Sequence, residues 1–226
     1  MVLHRPVEPA PFIRPYRIAS RQKRAFPRQQ EETWIRGNVE LSSIGPNVMQ
    51  FLTQQETYDW LGKTPLIVQR DTNDLSFPTG FCFKLELPTK IYRASNFVNY
   101  LLPYEQGSLS CSSLLWFTDW GMWNEVHERA GMFMLEQMRA ARGEHKPLVE
   151  SPGQLFDSSE AIALQSFLIL PVLFSWDAYL APESGEYFVF NSHDESVYVV
   201  SGTHRMHEKL LEDLRIWEPK PSEWTR

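Results

Sequence analysis

The sequence predicts an α+β fold: one domain over about residues 34–218 with a mixed or antiparallel sheet, several helices, an extended N-terminal arm before it and a short tail, 219–226, after it. Three observations carry this expectation. Apolar residues recur with period 2 in some segments and about 3.6 in others. Strand-like and helix-like runs are grouped rather than strictly alternated, which favours α+β over a parallel α/β sheet. The last three strand-like runs are joined by short, turn-rich links, so they form an antiparallel meander.

Residues 1–33 hold five of the sixteen prolines (Pro6, Pro9, Pro11, Pro15 and Pro27), interleaved with Phe12, Ile13, Tyr16 and Phe26. Proline fixes φ and biases the residue before it toward extended backbone, so this segment reads as an arm rather than a helix. Its aromatic residues favour an arm laid on a surface over a free tail. The first 30 residues carry seven basic side chains against Glu8 alone, a net of +6, whereas the remaining 196 carry 15 basic and 27 acidic, a net of −12. Arg14, Arg17, Arg21, Lys23 and Arg24 are therefore the candidate contacts to a partner. Opposite fields attract within about a Debye length, roughly 8–10 Å at physiological salt.

Beyond the arm, Val48, Phe51, Leu52 and Gln55 recur at helical spacing, with Pro46 suited to a first turn. A second short helix over Thr57–Leu61 stops at Gly62. Strands are expected over Leu66–Gln69 and Phe81–Leu87, divided by the turn-rich Asp71–Gly80. In the second run Phe81, Phe83, Leu85 and Leu87 alternate with Cys82, Lys84 and Glu86. Ser95 precedes a helix over Asn96–Leu102, and Ser112–Thr118 reads as a further strand. Asn124 is suited to cap a long helix to about Arg142, with Val126, Ala130, Phe133, Met134, Met138 and Ala141 on one face and Gly143 just past its end. A loop over Glu144–Phe156 leads to Asp157-Ser158-Ser159-Glu160, which fits a capping box opening a helix of about ten residues. The meander follows over Val172–Leu180, Glu186–Asn191 and Ser196–Ser201. A final helix begins after Thr203, striped by Met206, Leu210, Leu214 and Trp217, and ends before Pro219 and Pro221.

Several function classes are disfavoured. The chain has no G-x-G-x-x-G, no P-loop, no G-x-S-x-G and no H-E-x-x-H. Cys82 and Cys111 alone make neither a disulfide framework nor a thiolate cluster. The longest apolar stretch, Phe167–Phe174, is far short of the roughly 20 residues that span a bilayer, and no signal-like h-region is present, so a cytoplasmic protein without a membrane partner is expected. An acidic body argues against nucleic acid as the main partner, because duplex phosphates need a basic face. No cofactor or metal is called for: His204 and His207 supply at most half of a zinc site, and His193, Asp194 and Glu195 read as turn chemistry.

The most unusual stretch is Trp116–Trp123, with three tryptophans around Asp119 at a strand–helix junction. Trp116, Asp119, Trp120, Trp123 and His127 are accordingly the candidate binding residues, either as an aromatic interface or as a small-ligand or catalytic pocket in which desolvation would raise the Asp119 carboxyl. A non-catalytic interaction module, such as an immunity or antitoxin-like inhibitor or an assembly subunit, fits the acidic body and abundant aromatics best. The alternative is a ligand-binding domain or enzyme around Trp120, Trp123 and Asp119. If the arm joins sister subunits, light scattering gives a larger mass for the full chain than for one lacking residues 1–33; two equal monomeric masses would instead leave the arm to an outside partner.

Overall fold

Every second residue of the run Tyr187–Ser192 faces one core and the residues between face another: Tyr187 and Val189 enter the first, Phe188 and Phe190 the second. A strand buried on both faces needs a covering layer on each side. The computed structural model describes residues 49–105, 108–121 and 125–224, all within one compact unit bounded by Ile44–Arg226. The proline-rich arm, with Arg14, Arg17, Arg21, Lys23 and Arg24, lies outside the described residues.

In chain order the elements are β1 (Gln50–Leu52), α1 (Gln54–Leu61), β2 (Ile67–Gln69), β3 (Asp74–Ser76), β4 (Phe81–Glu86), α2 (Ile91–Leu101), β5 (Tyr104–Glu105), β6 (Ser108–Leu109) and β7 (Ser113–Asp119). Then follow α3 (Glu125–Ala140), β8 (Gly153–Phe156), α4 (Ala161–Phe174), β9 (Asp177–Pro182), β10 (Tyr187–Ser192), β11 (Ser196–Ser201), α5 (His204–Asp213), a 3-10 turn (Arg215–Trp217) and β12 (Lys220–Ser222). Eight strands form one antiparallel sheet in the order β1-β8-β7-β9-β10-β11-β4-β12. The fold is α+β, and the meander β9-β10-β11 sits at its centre, with Val189 opposite both Leu180 and Val199.

The first core lies between the sheet and helices α2, α3, α4 and α5. The second is closed by α1, the β2–β3 hairpin and Trp224. Trp224 donates its indole N–H to the Leu75 carbonyl at 2.8 Å and touches the rings of Tyr179, Phe188, Phe190 and Tyr198. The stretch read as a tail is thus an edge strand followed by an aromatic plug; Pro221 is tolerated because β12 has no outer neighbour among the described residues.

Four expectations are corrected. Phe51 and Leu52 lie on β1, not on a helix. They face opposite cores, and the helix starts one step later, where Thr53 and Glu56 make a reciprocal capping box. β3, β8 and the β5–β6 hairpin form inside segments that read as loops or went unassigned. Val172–Phe174 belong to α4, which is apolar all round and gives no period to separate helix from strand. Its Pro171 carbonyl accepts from the side chain of buried Asn191, which also donates to the Trp176 carbonyl, tying the helix end to β10. On α3 the buried residues are Gly131, Leu135 and Arg139, whereas Phe133 and Met134 are exposed. Gly131 decides this rotation, because a Cβ there would stand 2.7–2.8 Å from Trp176 and Phe174.

Arg139 is fully buried. One guanidinium nitrogen donates to the Ser151 carbonyl at 2.9 Å, and the other to the Lys146 carbonyl at 3.2 Å and the Ser151 hydroxyl at 2.5 Å. That hydroxyl donates in turn to Glu144 at 3.3 Å, and the guanidinium also lies 5.2 Å from the Phe51 ring centre. Burial lowers its pKa, opposed by the charges of Glu144 and Glu136, and an arginine remains protonated throughout. The return loop to β8 is thereby fastened to α3. Arg139→Leu strips donors from two carbonyls and should cost about 2–6 kcal/mol, at roughly 1–3 kcal/mol for each unsatisfied group; a urea midpoint matching the parent protein would refute this anchoring role.

Candidate functional site

Two regions place polar side chains together, one at the strand ends and one in a cleft. At the strand ends, Asp119 of β7 stands opposite Asp177 of β9, with a bulge between Phe117 and Asp119. Asp119 accepts the Gly121 N–H at 3.1 Å. Buried Asp177 accepts both the backbone N–H of His193 at 2.7 Å and a contact with its Nδ1 at 2.9 Å, while Nε2 lies 3.5 Å from Asp194. Both ring nitrogens therefore face carboxylates, and the turn after β10, where Glu195 has φ 57°, is locked onto the start of β9.

The tryptophan-rich stretch does not act as one surface. Trp116 is fully buried in the second core, stacked on Tyr179 at 5.6 Å and edge-on to Tyr58 at 5.9 Å. Trp120 is half-buried and packs on the first core, across the sheet. Trp116 is therefore corrected from a binding residue to a core residue: its even spacing from Trp120 would keep the two on one face, but the bulge between Phe117 and Asp119 shifts the register and sends them to opposite sides of the sheet. Asp119 and Trp120 remain together at the strand end; the side chains of Trp123 and His127 lie outside the described residues.

The two helix-start histidines are packed rather than paired. His204 lies 5.5 Å from the Phe81 ring, and His207 lies 5.6 Å from both Phe81 and Phe83. Burial lowers the His207 pKa, with Glu208 opposing and His204 adding to the shift. Among the described residues no three His, Cys, Asp or Glu are arranged to hold a metal ion.

The second region escaped sequence reasoning. A cleft of about 500 Å³ is lined by Tyr100 of α2, Tyr104 of β5, Cys111, Tyr187 of β10, and Lys209 and Asp213 of α5. Glu186 completes its polar rim. Tyr187 is only 7% exposed. Burial pushes its hydroxyl well above the ordinary tyrosine range, with Cys111, Asp213 and Glu186 adding in that order, and no hydrogen bond contributes. Burial also raises Tyr104. Lys209 pairs with Asp213 at 2.6 Å across one turn of α5. These residues are scattered from Tyr100 to Asp213, and the only local signal was the i,i+4 spacing of Lys209 and Asp213.

A cleft of about 520 Å³ between α3 and α4 is lined by Met138, Ala141, Arg142, Glu160 and Ile162, and its cation is already bonded to Glu160 at 2.9 Å. No family model matches the chain, and neither curated proteins nor solved structures show a significant similarity to it.

The two cysteines differ in a way that can be measured. Burial pushes the Cys82 thiol up to about 12, opposed by a hydrogen bond from Ser222, whereas Cys111 is half-buried and opens onto the cleft. Both thiols are half-buried and the thiolate is the reactive form, so at pH 8 Cys111 should react faster in the native protein than Cys82, whose thiolate is disfavoured. Equal native rates would refute the assignment. Because the folded pKa of Cys82 exceeds its ordinary value of 9.0, its contribution to stability is complete below pH 9 and declines as pH rises toward 12.

Proposed function

We propose that this protein is a non-catalytic interaction module, an immunity or antitoxin-like inhibitor or an assembly subunit, acting in the cytoplasm on a basic protein partner or through its basic arm on a sister subunit. One observation supports this above the others. α2 and β5 turn Tyr92, Tyr100 and Tyr104 outward, 70%, 48% and 36% exposed, and the last two border a cleft rimmed by Asp213 and Glu186. Tyrosine is a favoured interface anchor because it offers a large rigid surface with a polar tip. Carboxylates beside it steer a cationic partner and reject an anionic one. The acidic excess of the chain beyond residue 30 extends the same field. Among the described residues no helix is long and apolar enough to cross a membrane.

Ligand binding or catalysis near Asp119 and Trp120 is the second reading, favoured by the Asp177–His193 pair beside them. One capture experiment separates the two. With the full chain as bait at low salt, a basic protein should be retained, released at high salt, and lost when Tyr100 and Tyr104 are both replaced by alanine. Asp119→Asn and His193→Ala should leave capture intact. Failure to retain any basic protein, or loss of capture only in the strand-end variants, counts against the tyrosine face.

A further inference from the structure

We propose that the tyrosine cleft is the seat of a guanidinium group, an arginine side chain presented by the basic partner. This rests on the interaction reading and narrows it to one recognition chemistry. The Tyr187 hydroxyl is the group that a ligand would meet. It belongs to a side chain more than nine-tenths buried, it lines the cleft, and no described residue hydrogen-bonds to it. The ring is buried while the hydroxyl opens onto the cleft, so its hydrogen-bond partner must come from the cleft. Here a bound molecule would supply the partner.

The charge around that hydroxyl selects the molecule. Glu186 and Asp213 line the cleft with Lys209 as its one lining cation, a net of −1, and Lys209 already neutralises Asp213 on one side. An anion would meet two carboxylates. A purely apolar ligand would bury the hydroxyl and carboxylates without partners. A cation that donates several hydrogen bonds satisfies all three acceptors.

Geometry favours guanidinium over ammonium. The acceptors come from separate elements, Tyr187 from β10, Asp213 from α5 and Glu186 from the preceding turn, so they surround a volume rather than a point. A planar fork with five donors can meet spread acceptors, while an ammonium is compact and strongly hydrated. Tyr100 and Tyr104 add aromatic faces at the opening, on which a guanidinium stacks. The volume of about 500 Å³ falls in the ligand-pocket range of roughly 300–1,000 Å³, leaving room for the aliphatic stem.

Cys111 provides the readout, because it lines the cleft and Cys82 stays protonated. The probes are the peptide acetyl-Gly-Arg-Gly-amide, its citrulline counterpart and the free amine agmatine, each added to the full chain at low salt. The arginine peptide should slow alkylation of Cys111, and citrulline at the same concentration should not. Tyr187→Phe and Asp213→Asn should each weaken protection about tenfold, the loss expected for a hydrogen bond to a charged group. Equal protection by citrulline, or unchanged protection in Tyr187→Phe with its native melting curve retained, overturns the proposal. Agmatine protecting far better than the peptide overturns the partner as its source. If the peptide gives no protection while a basic protein is still captured through Tyr100 and Tyr104, the guanidinium seat falls and the interaction reading stands.

Discussion

A sheet buried on both faces governs this structure. The middle strands β9 and β10, and β7 from Ser113 to Phe117, have no side chains to give to solvent, because alternate residues are committed to opposite cores. Fully burying one phenylalanine contributes about 1.5–3 kcal/mol, and β10 alone carries Phe188 and Phe190 into the second core. Function is thereby driven to the places the sheet leaves over: strand ends, and clefts between the sheet's margin and its covering helices. Both polar regions of the molecule lie there.

The helical layer shows what two-sided burial demands of its neighbours. α4 is apolar around most of its circumference because it lies on the sheet with α2 and α3 packed beside it. Gly131 lets α3 approach the end of α4 closely, and the same helix carries a charge, Arg139, where an aliphatic residue would leave the loop carbonyls of Lys146 and Ser151 unanswered. That loop leads directly into β8, whose pairing with β1 completes one margin of the sheet.

The sequence made the meander legible because its turns are short and its strands stand between clear turn residues. The long helix was equally plain from its length and from Gly143, which takes the expected positive φ of 87°. The α4–β9 boundary was not, since a continuously apolar run carries no period. Exposed Phe133 and Met134 read as core because hydrophobicity alone does not reveal which face a glycine lets approach. Trp116 and Trp120 read as one cluster, yet a strand sends neighbours of even spacing to one face only until a bulge shifts the register. His193 was visible as a polar turn residue, but its pairing with Asp177, inside an expected strand, was not. The tyrosine cleft left almost no trace, because no local pattern joins Tyr100 to Tyr187 and Asp213.

Trp224 gives the second core a temporal order. It follows, in the order of synthesis, every ring it covers: Tyr179, Phe188, Phe190 and Tyr198. The meander can pair and the helices can dock on one side without it, yet the aromatic cluster on the other side stays uncapped until Trp224 folds over it. At elongation rates of about 5–20 residues per second, the interval from Tyr198 to Trp224 lasts on the order of seconds. Until Trp224 docks, the chain exposes an aromatic surface that the finished fold conceals.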